Sequence, residues 1–241
     1  MSEDDKRENK GWWGPAIGGG IIGAALSAGA LLLAGPSLLG ERLVRQAMLD
    51  HPDILVDASD ALRDRQYAPT LAAQRRSIET PFHSSWKGAA EPKVTLTYFY
   101  DYACGYCRKS NPDIERLIAE DKDLRVVYRE LPILGPDSVA AARVALAASK
   151  AGKFNAFHDA MSAAGGRPSP QVIAAAAAAA GVPAQPQNAP DQEAELKQNF
   201  AVAGQLGATG TPLFIVGDRV MNSAVGYDAL KDAVADARKR G

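Results

Sequence analysis

The alternation of apolar and polar positions divides this chain into two unlike halves. From residue 93 onward short runs of β-branched and aromatic residues alternate with longer helical stretches. Val94-Thr95-Leu96-Thr97-Tyr98-Phe99-Tyr100 predicts a buried strand, and Leu124 to Leu131 a second one. A helix is expected between them, starting near Cys104 and running to about Glu120, so that the three elements form a parallel β-α-β unit. Alanine-rich helical pattern follows from Asp137 to about Ala164. A further helix is expected over Val172 to Ala180, closed by Gly181 and Pro183, and another over Gln192 to Leu206. Pro212 to Val216 predicts a strand, Gly217-Asp218 a hairpin turn, Arg219 to Asn222 its partner, and Tyr227 to Arg238 a last helix. The order β-α-β, helical block, β-β-α is that of an α/β domain.

The N-terminal half has no such alternation. Residues 11 to 40 carry no charge, and Ala16 to Gly35, between Pro15 and Pro36, are all apolar or small. At ~1.5 Å per residue that stretch reaches roughly 30 Å, the thickness of a bilayer core. Gly19, Gly23 and Ser27 recur at helical spacing suited to close helix contact. Residues 12–36 therefore predict a transmembrane anchor or uncleaved signal. A cleaved signal peptide stays open, because Ala28-Gly29-Ala30 resembles a cleavage site, although Leu31-Leu32-Leu33 prolong the apolar run. Lys6, Arg7 and Lys10 precede the span, against Arg42 and Arg45 after it. That bias makes residues 1–11 a cytoplasmic tail and puts the rest across the inner membrane, facing the periplasm as a single-pass protein.

Residues 37–80 predict a helical arm, with Leu43, Val44, Ala47 and Met48 on one face and Ile54, Leu55, Ala58 and Leu62 on another. Pro52 suits a first helical turn and Pro69 marks a break. The segment is too narrow to build its own core. It must dock on the main domain, pair with copies of itself as an oligomerisation arm, or serve as a solvated connector. Residues 81–92, with Pro81, Gly88 and Pro92, predict a linker, and 93–241 the main domain.

Net charge is -1, which gives no field to recruit nucleic acid. The chain has only two cysteines, both in Cys104-Gly105-Tyr106-Cys107. A structural disulfide framework needs more. Zinc needs four ligands, and His51, His83 and His158 have no suitable spacing. A c-type haem requires histidine where Arg108 stands, and an iron–sulfur cluster requires further thiolates. A thiol at a helix N-terminus is made acidic by the free backbone N–H groups, and a second thiol one turn on can resolve the mixed disulfide it forms. Cys104 is therefore the candidate nucleophile and Cys107 the candidate resolving thiol. Asp101, Gly105 and Tyr106 are candidates for tuning their acidity, with helix capping the simpler role for Asp101. Two other readings stay open: a soft-metal (copper) binding or sensing module built on the same thiolates, and an anchor protein whose cysteines are incidental.

Asp101-Tyr102 ahead of Cys104-Gly105-Tyr106-Cys107, then Glu130-Leu131-Pro132-Ile133-Leu134-Gly135-Pro136-Asp137-Ser138, then Gly210-Thr211-Pro212, resemble the DsbA family of thioredoxin-like oxidoreductases, and within it the ScsC-like secreted proteins. The resemblance runs from Val94 to Arg238. It implies a thioredoxin-like fold with a helical insertion at about 136–201, preceded by the transmembrane helix and helical arm. It also implies a cis Pro212 facing the sulfurs, with Thr211 and Pro212 as the substrate clamp. It further implies cysteine-containing protein substrates, a membrane redox partner, a homo-oligomer built through the arm, and no cofactor beyond the Cys104–Cys107 disulfide. Two departures stand out. Tyr98 occupies the position, six residues before Cys104, where thioredoxin-fold enzymes often bury a carboxylate. Gly105-Tyr106 supplies no charge beside the thiolate, which implies a less oxidising site than DsbA's.

Overall fold

The computed structural model describes residues 40–185 and 189–240. The tail over 1–11 and the anchor over 12–36 lie outside these residues. Among the described residues no helix is long and apolar enough to cross a membrane.

Five strands form one sheet in the order β1-β3-β2-β4-β5. They are β1 (Trp86–Gly88), β2 (Val94–Tyr100), β3 (Leu124–Glu130), β4 (Leu213–Val216) and β5 (Arg219–Met221). β2 and β3 run parallel, with Tyr98 opposite Tyr128. β4 lies antiparallel to β2, with Phe214 opposite Tyr98, and β5 continues the hairpin. β2 and β3 are central and buried almost throughout, which is why both read as near-continuous apolar runs.

The helices follow the expected order. They are α1 (40–50), α2 (Asp53–Glu79), α3 (Gly105–Glu120), α4 (Pro136–Lys150), α5 (Phe154–Ala164), α6 (Pro170–Ala180), α7 (Pro190–Gln205) and α8 (Tyr227–Arg240). α4 to α7 are the helical insertion. One face of the sheet, carrying Leu96, Tyr98, Tyr100, Val126, Tyr128 and Phe214, packs against α3, α8 and the insertion helices α4, α5 and α6. The other face presents Phe99, Leu213, Ile215 and Val220 to Val202 and Leu206 near the end of α7, and to Leu71 and Ile78 of α2.

Three sequence expectations need correction. Residues 81–92 are not a plain linker, because they contain β1, which pairs antiparallel with β3. The strand is three residues long and ends in Gly88, so it carries no alternation to read. Gly88 itself is required there: its φ is +95°, and a Cβ would collide with the Leu124 carbonyl. Pro69 does not break the arm, since α2 runs through it. Pro69 is exposed, so water can satisfy the carbonyl one turn back that the missing N–H leaves free. The arm is also not separate as far as residue 80. The compact unit begins at Ala61, and Leu71 and Ile78, each 2% exposed, are core residues worth about 2 kcal/mol apiece. Residues up to Asp60 form the other unit. There Leu43, Val44, Leu49, Leu55 and Val56 are exposed.

Candidate active site

β2 delivers the chain into the loop 101–104, and α3 begins at Gly105 with Cys104 as its N-cap. Cys104 Sγ accepts the Cys107 backbone N–H at 3.3 Å, so a sulfur does the work usually left to a serine or aspartate oxygen. As a thiol it donates to the Thr211 carbonyl at 3.2 Å. Both cysteines are free thiols. A hydrogen bond from the Cys107 side chain is the largest influence on Cys104, and backbone N–H groups of Cys107 and Tyr106 add to it. Together they outweigh burial and hold the Cys104 thiol at about 5, far below the ordinary range. Cys107 is the opposite case: burial, then its bond to Cys104, push its thiol up. The pair is polarised, with one sulfur charged at neutral pH and the other holding its proton.

The candidate clamp faces this pair. The Thr211–Pro212 peptide is cis, and it leads into β4 beside Cys104. Tyr106 is 68% exposed and acts on Cys104 through its backbone, not its ring. Gly105 has open space around it, so nothing steric demands glycine there.

Asp101 is not the helix cap. Its carboxylate is buried and accepts three backbone N–H groups: Ala103 at 2.7 Å, Ile133 at 2.8 Å and Leu134 at 2.9 Å. It therefore ties the cysteine loop to the loop after β3. The cap position is one that Cys104 fills itself, and Asp101 lies too early in the chain to compete for it.

Tyr98 lies on β2, six residues before Cys104. Its ring stacks on Phe214 at 4.8 Å, and its hydroxyl donates to the Cys107 carbonyl at 3.1 Å. Sequence reasoning missed a second buried polar group. Tyr100 Oη lies 3.0 Å from Glu130 Oε1 and 3.0 Å from Tyr102 Oη, which lies 3.3 Å from His158 Nδ1. These residues come from β2, the cysteine loop, β3 and α5. Only the alternating Tyr98-x-Tyr100 hinted that they share a face. Burial raises Glu130 to about 8 and lowers His158 to about 3, so His158 is neutral at physiological pH. Among the described residues no group of three or more His, Cys, Asp or Glu is gathered as a metal site requires.

The profile of the DSBA-like thioredoxin domain matches residues 95–235. Similar solved structures include a thioredoxin-like oxidoreductase from Silicibacter pomeroyi, 38% identical, covering 68% of this chain and 98% of that one with a TM-score of 0.63. The catalytic domain of Proteus mirabilis ScsC is 26% identical and covers 70% of this chain and 97% of its own, with a TM-score of 0.65. A curated relative, the Na(+)/H(+) antiporter NhaA 1 of Salinispora arenicola, is 27% identical over 63% of this chain, and the match spans only 24% of the antiporter. The match to the family profile covers more than half of the sequence and includes both cysteines and the Thr211–Pro212 segment: this chain belongs to the DSBA-like thioredoxin domain family.

Proposed function

We propose that this protein catalyses thiol–disulfide exchange on cysteine-containing proteins outside the cytoplasm. Cys104 is the nucleophile, Cys107 the resolving thiol, and Thr211 with Pro212 the edge on which an extended client segment lies. The observation that carries the reading is the polarised pair: Cys104 held at about 5 at the N-cap of α3 while the Cys107 thiol is pushed up by burial. The thiolate attacks a client S–S bond and forms a mixed disulfide. Cys107 then displaces the client, or the client's own second thiol displaces Cys104.

Isomerisation is the direction we favour over net oxidation. Leu43, Val44 and Leu49 of α1, with Leu55 and Val56 of α2, are exposed apolar side chains on the N-terminal unit. They support a homo-oligomer, in which several sites act on one misfolded client at high effective concentration. The uncharged stretch over 12–36 supports a membrane anchor, and a membrane-bound thiol partner would keep the pair reduced. Refolding of a scrambled, fully disulfide-bonded client tests this. The purified reduced protein should restore client activity without added oxidant, and Cys104→Ser should abolish that. Recovery only from a reduced client, with the disulfide form of this protein supplied, would instead make it an oxidase.

A further inference from the structure

The resolving thiol must lose its proton before it attacks, and the carboxylate that lines its cavity, Asp101, has both oxygens committed to backbone N–H groups. Tyr98, six residues before Cys104, donates to the Cys107 carbonyl and also reaches the Cys107 side chain, but burial keeps its hydroxyl protonated. A different acid is within reach. Cys107, Tyr100, Asp101, Tyr102, Asn111 and His158 line one cavity of about 20 Å³, which is room for a single water. From its wall the hydroxyls of Tyr102 and Tyr100 lead at hydrogen-bond distance to Glu130 Oε1. Glu130 is 1% exposed, and its Oε2 is buried without a hydrogen-bond partner. A buried carboxyl with one oxygen unused is costly to keep as pure structure.

We propose that Glu130 is the proton acceptor and donor for Cys107, coupled to it through Tyr100, Tyr102 and the one-water cavity. The inference rests on the reading of Cys104 and Cys107 as the reacting pair. In resolution the Cys107 S–H proton passes through the cavity water and the two hydroxyls to the Glu130 carboxylate. Cys107 Sγ then forms its bond to Cys104 Sγ. The bond from Cys104 to the client sulfur breaks, and the client leaves as a thiolate with the electron pair. In the reverse direction a client thiolate attacks Cys104, Cys107 leaves as the thiolate, and Glu130 returns the proton.

The chain of hydrogen bonds can run either way. With Glu130 ionised, His158 Nδ1–H donates to Tyr102, Tyr102 to Tyr100, and Tyr100 to the carboxylate. With Glu130 protonated the carboxyl donates to Tyr100, Tyr100 to Tyr102 and Tyr102 to the cavity water, while His158 Nδ1–H still donates to Tyr102. A neutral histidine permits both. The groups facing this system are Arg129 on β3, Glu195 on α7, Tyr100 at the end of β2, Asp101 and Tyr102 in the cysteine loop, Arg108 on α3, and Asp159 and His158 on α5, with Lys87 of β1 and Glu115 of α3 behind them. Glu195 is paired with Arg129, Lys87 with Glu115 and Asp159, and both Asp101 oxygens accept backbone N–H groups, so Glu130 is the carboxyl with an oxygen to spare.

The test uses the reduced full-length protein and dithiobis(nitrobenzoate), whose released thiolate is coloured. The first equivalent released reports attack by Cys104, and the second reports resolution by Cys107. In the wild type the second phase should accelerate as pH rises through the ionisation of Glu130 near 8, because only the carboxylate can accept a proton. Glu130→Gln should leave the first phase intact, slow the second at least tenfold and remove that pH dependence. Tyr100→Phe, which cuts the path but keeps the acid, should slow the second phase to the same degree. If Glu130→Gln does not fold, Tyr100→Phe decides alone. A folded variant with an unchanged second phase and pH profile overturns the relay. Absence of even the first phase in the wild type would instead overturn the site reading beneath it.

Discussion

A sulfur at a helix N-cap receives what an anion needs: a backbone N–H aimed at it, a neighbouring S–H, and the positive end of α3. The folded pKa of Cys104 is depressed, so the linkage has a fixed sign. Its stabilising contribution to the reduced protein is complete above the ordinary thiol range and declines as pH falls toward about 5. The reduced protein should lose thermal stability relative to Cys104→Ser across that window, which thermal melts of both proteins at several pH values would check. Asp101 acts differently. Replacing it by alanine leaves three backbone N–H groups unpaired in a buried loop, and should cost about 3 kcal/mol in denaturant unfolding. Reaction of Cys104 with an alkylating agent should slow little in whatever fraction stays folded, because the Asp101 carboxylate holds the loop and does not bind the Cys104 sulfur. These roles were only partly legible in the sequence. Cys-x-x-Cys after a strand announces its chemistry by spacing alone. The three partners of Asp101 lie beyond local spacing, since two of them follow β3.

Elements are joined to this site by a second buried charge. Arg129 on β3 donates to Glu195 Oε1 at 2.5 Å and to Asn199 Oδ1 on α7, and to the carbonyls of Ser77, Ile78 and Thr80 at the end of α2. These carbonyls are the orphan acceptors of a helix C-terminus, which one guanidinium satisfies together. Arg129→Met should destabilise by about 3–5 kcal/mol, because Glu195 is left buried and unpaired, and chemical denaturation would measure it. Helix α2 thereby belongs to the domain from its middle onward. The helical period was readable, but its docking was not, because Leu71 and Ile78 find their partners on β2, β4 and α7 and not on neighbouring residues. Toward the N-terminus the reading changes. The exposed apolar side chains of residues 43–56 have no cover among the described residues. Sedimentation should report an assembly larger than one chain, and Leu43→Lys with Leu49→Lys should return it to monomer while thiol exchange on a small disulfide continues.

At the scale of the whole molecule, the α/β order was visible as alternating apolar runs, and the helical insertion as the long interval between Cys107 and Pro212. β1 escaped because three residues cannot show a period, and the buried cluster of Glu130, Tyr100, Tyr102 and His158 escaped because β3 and α5 bring its two ends from elsewhere in the chain. What unites the fold and the chemistry is a division of charge between two sulfurs one helical turn apart. The measurement closest to that division is the far-ultraviolet thiolate absorbance of the reduced protein as pH is varied, with Cys104→Ser as the blank. A single thiolate ionising near pH 5 and lost in the blank is the predicted result. Ionisation of both thiols together near the free-cysteine value of ~8.5 would contradict the account.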